Sequence, residues 1–124
     1  MESIYNVSVR TNAGDDFYLL LGDFLDTFYL SDSDARSNMI AIPPTDMKRM
    51  ELVPFLAATA HKLSLDYNIP LPQWVFEPRC FLPGMTPYFA CNARGNLRLL
   101  FMYKSPSEFK YRNLFVDENV LSRV

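Results

Sequence analysis

Apolar residues recur three and four apart from Phe17 onward. Phe17, Leu20, Leu21, Phe24, Leu25 and Phe28 fall on one wide helical face, with Asp16, Asp23 and Asp26 on the far side. The pattern predicts a helix over residues 15–30, with Asp15 and Asp16 in its first turn, where the helix dipole favours carboxylates. Gly22 costs that helix up to about 1 kcal/mol relative to Ala and marks a place for a close crossing. Upstream, Tyr5, Val7 and Val9 alternate weakly, which suits a short strand or an irregular N-terminal arm over residues 1–12. Ser31 is a candidate cap for a turn or short helix running toward Met39, ended by Pro43 and Pro44. A longer helix is expected from Thr45 or Asp46 to about Tyr67, with Leu52, Leu56, Thr59, Ala60, Leu63 and Tyr67 on a single stripe. Either its regular part begins near Val53 with Pro54 in the first turn, or it is kinked there, and only the first loses no hydrogen bond. Asn68 is a suitable stop, reinforced by Pro70 and Pro72.

The pattern changes over residues 69–95, where five prolines interleave with Trp74, Val75, Phe76, Phe81 and Leu82. Such a stretch excludes long helices and central strands but is too apolar for a solvated linker. An ordered, packed connection is expected, with helical turns around residues 73–76 and a turn at Asn92-Ala93-Arg94-Gly95. Asn96 can cap a helix over residues 97–104, although the run Leu99-Leu100-Phe101-Met102-Tyr103 also suits a buried strand. Ser105 and Glu108 then stand at capping-box spacing with Pro106 at the first helical position, predicting a helix to about Arg112. Asp117 opens a last turn. The fold class expected is mainly all-α: one compact domain over residues 1–124, with about five helices and a Pro-rich aromatic connection. The alternative is α+β with a short N-terminal strand.

Composition adds a partner to this picture. A chain of 124 residues can bury a core without disulfides or metals. Ten Phe, seven Tyr and one Trp exceed what a small monomer hides, so some should meet a second protein or a second copy in a homo-oligomer. The net charge of −2 conceals an asymmetry: residues 1–46 carry eight acids against Arg10 and Arg36, and residues 77–124 carry seven bases against four acids. The plainer reading is that the two ends attract each other within the fold; the sharper one is a basic surface for an acidic partner. Cys80 and Cys91 match neither a redox pair nor a zinc knuckle and are expected as reduced, partly buried thiols. No apolar run approaches membrane-spanning length and no leader pattern stands at the N-terminus, so the expectation is a soluble cytoplasmic protein without a membrane partner.

Candidate chemistry is sparse. His61 is the only histidine, and an exposed or interface role outweighs that of a catalytic base because no serine or cysteine nucleophile is tied to it. Asp15 with Asp16 and Asp23 with Asp26 are explained by a wet helix face, and the four glycines form no phosphate-cradling loop. No catalytic residue, metal site or cofactor is therefore assigned, and an enzyme is the weaker class. Lys104, Lys110, Tyr111, Arg112 and Asn113 mix cations with a ring as single-strand nucleic-acid surfaces do, but twelve Lys and Arg in a slightly acidic chain make direct nucleic-acid binding only a third reading. Phe109, Leu114 and Phe115 should anchor the tail, with Arg112 covering them or pairing with an acid.

Ile69-Pro70-Leu71-Pro72-Gln73-Trp74, then Phe81-Leu82-Pro83, then the tail from Ser105-Pro106 through Phe109, Arg112-Asn113-Leu114-Phe115 and Asn119-Val120-Leu121-Ser122-Arg123, resemble a family of uncharacterised bacterial proteins. Its members occur as the C-terminal region of helix-turn-helix regulators or as small stand-alone antitoxin-like proteins beside nucleotidyltransferase-like partners. The resemblance covers about the last half of the chain. It implies an accessory role with a protein partner, such as a nucleotidyltransferase-like protein. About a dozen residues before the first strong helix are too few for a helix-turn-helix unit, which argues against direct DNA reading. The leading expectation is a non-catalytic interaction module with contacts at Arg98, Lys110, Tyr111, Arg112 and Arg123 and a second face at His61. The alternative is a small ligand-binding or hydrolytic domain with a pocket around Trp74, Phe76, Cys80 and Tyr88.

Overall fold

In the computed structural model, which describes residues 3–123, the chain begins with a helix. The Ser3 hydroxyl accepts a hydrogen bond from the Asn6 backbone N–H at 3.1 Å and opens α1, Ile4–Asn12. Ile4, Val7 and Ser8 are buried at i, i+3 and i+4, so helical period overrides the weak alternation, and the expected strand or irregular arm is corrected to a packed helix. The Ser8 hydroxyl donates to the Tyr5 carbonyl and accepts from the Thr45 N–H at 3.0 Å, tying α1 to a distant loop. Met1, Glu2 and Val124 lie outside the described residues.

The first predicted helix is present as α2, Phe17–Leu30, capped by Asp16, whose carboxylate accepts from the Leu19 N–H at 2.9 Å. Its six predicted apolar positions are buried. The next helix, α3 (Ser33–Ala41), is capped by Asp32 and not by Ser31, because the Asp32 carboxylate reaches the Ala35 N–H at 2.9 Å. Arg36 in α3 closes the end of α2 by donating to the carbonyls of Phe28 and Tyr29 at 2.9 and 3.0 Å, with its guanidinium 4.6 Å from the Tyr67 ring.

The longer helix expected after it is α4, Leu52–Asp66, with Pro54 in its first turn, where no hydrogen bond is lost. The expected single stripe is corrected: every residue from Leu52 to Ala60 is buried, because α1, the following helices and the Pro-rich connection surround its first half. Asn68 takes a left-handed φ of 53° and the Ile69 N–H bonds back to the Ser64 carbonyl at 3.0 Å, a six-to-one closure that ends the helix where expected.

The Pro-rich connection packs onto α4 through 3-10 turns at Gln73–Phe76 and Pro78–Cys80. The Trp74 indole N–H donates to the Ile40 carbonyl at 2.9 Å and pins it to the end of α3. Strand β1 (Tyr88–Phe89) pairs in parallel with β2 (Leu114–Phe115), Tyr88 opposite Leu114 and Phe89 opposite Phe115. Between them lie α5, Asn96–Lys104, and α6, Ser107–Tyr111. The architecture is mainly all-α, with six α-helices among the described residues; the one beyond expectation is α1.

α6 starts within a residue of the predicted place but without its capping box. Ser105 instead sits at the end of α5, where its hydroxyl faces the carbonyls of Phe101 and Val116 and accepts from the Val116 N–H at 2.8 Å. A tertiary bond to β2's flank thus replaces the local cap. Ser105→Ala should leave the buried Val116 N–H unpaired and lower the unfolding free energy by about 1–3 kcal/mol in urea titration.

Candidate interaction surface

α5 carries the least covered apolar surface of the fold. Of its large apolar residues only Phe101 is buried; Leu97, Leu99, Leu100, Met102 and Tyr103 are exposed, with Leu99 at 64% and Tyr103 at 77%. Leu99 and Tyr103 are four apart and lie opposite Phe101 on the helix, with Leu100 and Met102 to either side. The helix is fastened at both ends. At its start the Arg98 guanidinium lies 4.1 Å from the Phe89 ring centre and donates to the Ala93 carbonyl at 3.0 Å; at its end stands Ser105. No Asp or Glu occurs between Glu77 and Glu108. Arg94, Arg98 and Lys104 are therefore the charged residues in and beside α5, Lys110 reaches its end at the Tyr103 carbonyl, and among the described residues none of them makes an ion pair.

The other expected contact residues separate into surface and interior. Lys110 donates to the Tyr103 carbonyl at 2.8 Å, and Tyr111 is exposed, its ring edge-on to Phe81 at 5.0 Å. Arg123 binds Asp26 through two hydrogen bonds of 3.0 and 3.2 Å and its guanidinium lies against Gly22, 3.1 Å from where a Cβ would stand. That pair, with Arg79 and Asp46 at 3.1 Å, joins the basic and acidic ends of the chain within the fold.

Arg112 is corrected from a surface contact to a core residue: it is 0% exposed. It donates to the carbonyls of Val75 and Glu108 at 2.9 Å each and to His61 Nδ1 at 3.1 Å, with its guanidinium 4.9 Å from the Phe81 ring. Its Nε has no hydrogen-bond partner. No carboxylate is among these contacts, so the cation is held by carbonyl dipoles and a ring face, and burial pulls its pKa down. The sequence offered one signal for this, the apolar Phe109 and Leu114 on either side of it.

His61 is half-buried, edge-on to Phe76 at 5.4 Å. Because arginine only donates, Nδ1 must accept, so the imidazole is neutral with its proton on Nε2. Burial, then the Arg112 charge, lower its pKa from the ordinary 6.5. The unfolded chain therefore binds a proton that the folded one refuses. This stabilising contribution is complete above pH 6.5 and is lost as the pH falls through 6.5 toward the folded value. Thermal melts of the wild type should decline through that window with a slope of at most about 1.4 kcal/mol per pH unit from this residue, and His61→Gln should flatten it.

The four residues expected around one pocket do not share one. Trp74 lines a cleft of about 410 Å3 with Pro43, Pro70 and Pro72. Cys80 is buried with its thiol on the Trp74 carbonyl at 3.3 Å, and Phe76 is exposed beside His61. Tyr88 belongs to a different cleft, facing Tyr18. Cys91 is exposed, so the two thiols have unlike environments. Among the described residues no three His, Cys, Asp or Glu side chains group to hold a metal, and no helix is long and apolar enough to cross a membrane. No protein-family model, curated protein or solved structure matches the chain.

Proposed function

We propose that the chain is a non-catalytic, cytoplasmic protein-interaction module, antitoxin-like or regulatory, that docks α5 into an apolar groove rimmed by carboxylates on a protein partner. The observation that carries this reading is one nine-residue helix with five wet apolar side chains and no acidic residue within it or its sequence flanks. Leu99 and Tyr103 act as anchors in the groove, and Leu100 and Met102 seal its sides. Arg94, Lys104 and Lys110 steer the approach and set orientation. The partner is thereby occluded at the groove, and no reaction on this chain is required. The resemblance noted above makes a nucleotidyltransferase-like protein the first partner to test.

Affinity isolation from the native cell with the full chain, followed by reconstitution of the purified pair, tests the reading. A protein with an acidic patch, bound stoichiometrically and with an association rate that falls as salt rises, is the expected result. A chain that sediments as a monomer and retains no protein overturns it. A concentration-dependent dimer without a second protein species overturns the partner and assigns the groove to a second copy.

A further inference from the structure

A cleft of about 470 Å3 opens between the first turn of α2, the start of α4 and the inner side of α5, within the roughly 300–1,000 Å3 of ligand clefts. Its walls are mainly apolar, with the rings of Tyr18, Phe55, Tyr88 and Phe101 on several sides. It is separate from the docking face, because Phe101 is the α5 residue that points inward.

The polar groups of the cleft disfavour an anionic guest. The Tyr18 and Tyr88 hydroxyls are 2.9 Å apart. Two phenols hold two protons and their mutual bond uses one, so one donor and several lone pairs remain for an outside group. Burial, then the Tyr18 hydrogen bond, push the pKa of the Tyr88 hydroxyl above its ordinary range, so Tyr88 keeps its proton. Arg49 on the rim is already paired with Glu51 at 2.6 Å, so its charge is largely answered before an anionic guest arrives. Asp117 on the opposite wall accepts from the Asn119 N–H, which leaves its second oxygen for a donor and disfavours an anion again. One wall is also conformationally loaded. Cys91 and Asn92 hold consecutive left-handed φ values of 57° and 52°; asparagine adopts that region readily, whereas Cys91 keeps it only where the surroundings impose it, as they do at some ligand sites.

We infer that this cleft binds an uncharged, planar ring compound bearing a carbonyl or hydroxyl group, which meets the tyrosine pair while the ring lies among the aromatic walls. Benzamide and benzoate have nearly one shape and are neutral and anionic at pH 7, so they isolate the charge argument. Titrated into the 15N-labelled full chain, benzamide should shift the amides of Ala90, Cys91 and Asn92, which line the cleft, saturably, and benzoate should bind at least about tenfold more weakly. Benzamide should also slow alkylation of Cys91 by iodoacetamide in proportion to occupancy, with the buried Cys80 unreactive throughout. Ala90→Phe fills the cleft and should abolish the shifts; if that variant does not fold, the Cys91 protection in the wild type decides. Absence of saturable shifts, an unprotected Cys91, benzoate equal to benzamide, or a folded Ala90→Phe that still binds would each overturn the inference.

Discussion

Arg112→Ala is expected to lower the unfolding free energy by about 3–5 kcal/mol, a large part of the roughly 5–15 kcal/mol that a domain of this size holds. The truncation strips donors from three acceptors at once, the carbonyls of Val75 and Glu108 and the His61 ring, and it empties a volume that the core cannot refill. Those acceptors belong to the Gln73–Phe76 turn, α6 and α4, so one side chain ties together three elements far apart in the chain. Arg112→Lys keeps the charge but cannot present a planar fork to divergent partners, and it should lose about 2 kcal/mol or more. Arg112→Met separates the two contributions, since it keeps much of the packing while removing the cation. Urea unfolding of the three variants decides the matter. A loss below about 1 kcal/mol for Ala would mean that desolvating the guanidinium cancels what its hydrogen bonds contribute.

How much of this could be read in the chain depends on whether the deciding interaction was local. α2 was legible because its apolar positions keep one helical face and Asp16 caps it within three residues. The stop of α4 was legible for the same reason, since Asn68 supplies the left-handed φ itself. The surround of α4 was not, because Ala57 and Ala58 read as a weak face until α1 and the Pro-rich turns cover them. α1 was missed although Ser3 is a good cap, since a three-residue buried face ending in a serine leaves little period to detect. At Ser105 the signature pointed to the right residue for the wrong partner: the Val116 N–H, eleven positions on, outcompetes the local cap.

Charge misled most at the functional level. Arg112 looks like its neighbours Lys110 and Arg123, yet one is interior, one caps a carbonyl and one pairs with Asp26. Burial of Arg112 and pairing of Arg123 with Asp26 remove two of the segment's cations from any phosphate track. The Tyr18 and Tyr88 pair, seventy positions apart, carries no sequence signal at all. α5 is the intermediate case. Its composition announced a helix or a buried strand, but only the packing of Phe101 decides which side faces in, and hence that Leu99 and Tyr103 face out.

On the docking proposal, that geometry should let binding and folding separate at α5. Leu99→Glu exchanges one strong helix former for another on a wet surface, so the unfolding free energy should change by no more than about 0.5 kcal/mol. In the proposed complex the same change would drive a carboxylate into a desolvated groove beside an acidic rim, and affinity should fall at least about a hundredfold, or roughly 2.7 kcal/mol. Tyr103→Ala removes an anchor without adding a charge and should weaken binding by about 1–3 kcal/mol. Lys104→Glu should act on the association rate and its salt dependence more than on dissociation, since it alters steering and not packing. Leu30→Glu is the control: Leu30 is 90% exposed, on α2 and outside the cationic frame, so binding should be unchanged. Calorimetric titration with the isolated partner and urea unfolding of each variant read the two effects apart. If Leu99→Glu binds within about threefold of the wild type, or the Leu30 control loses as much, the apolar helix is merely wet surface and the docking face lies elsewhere.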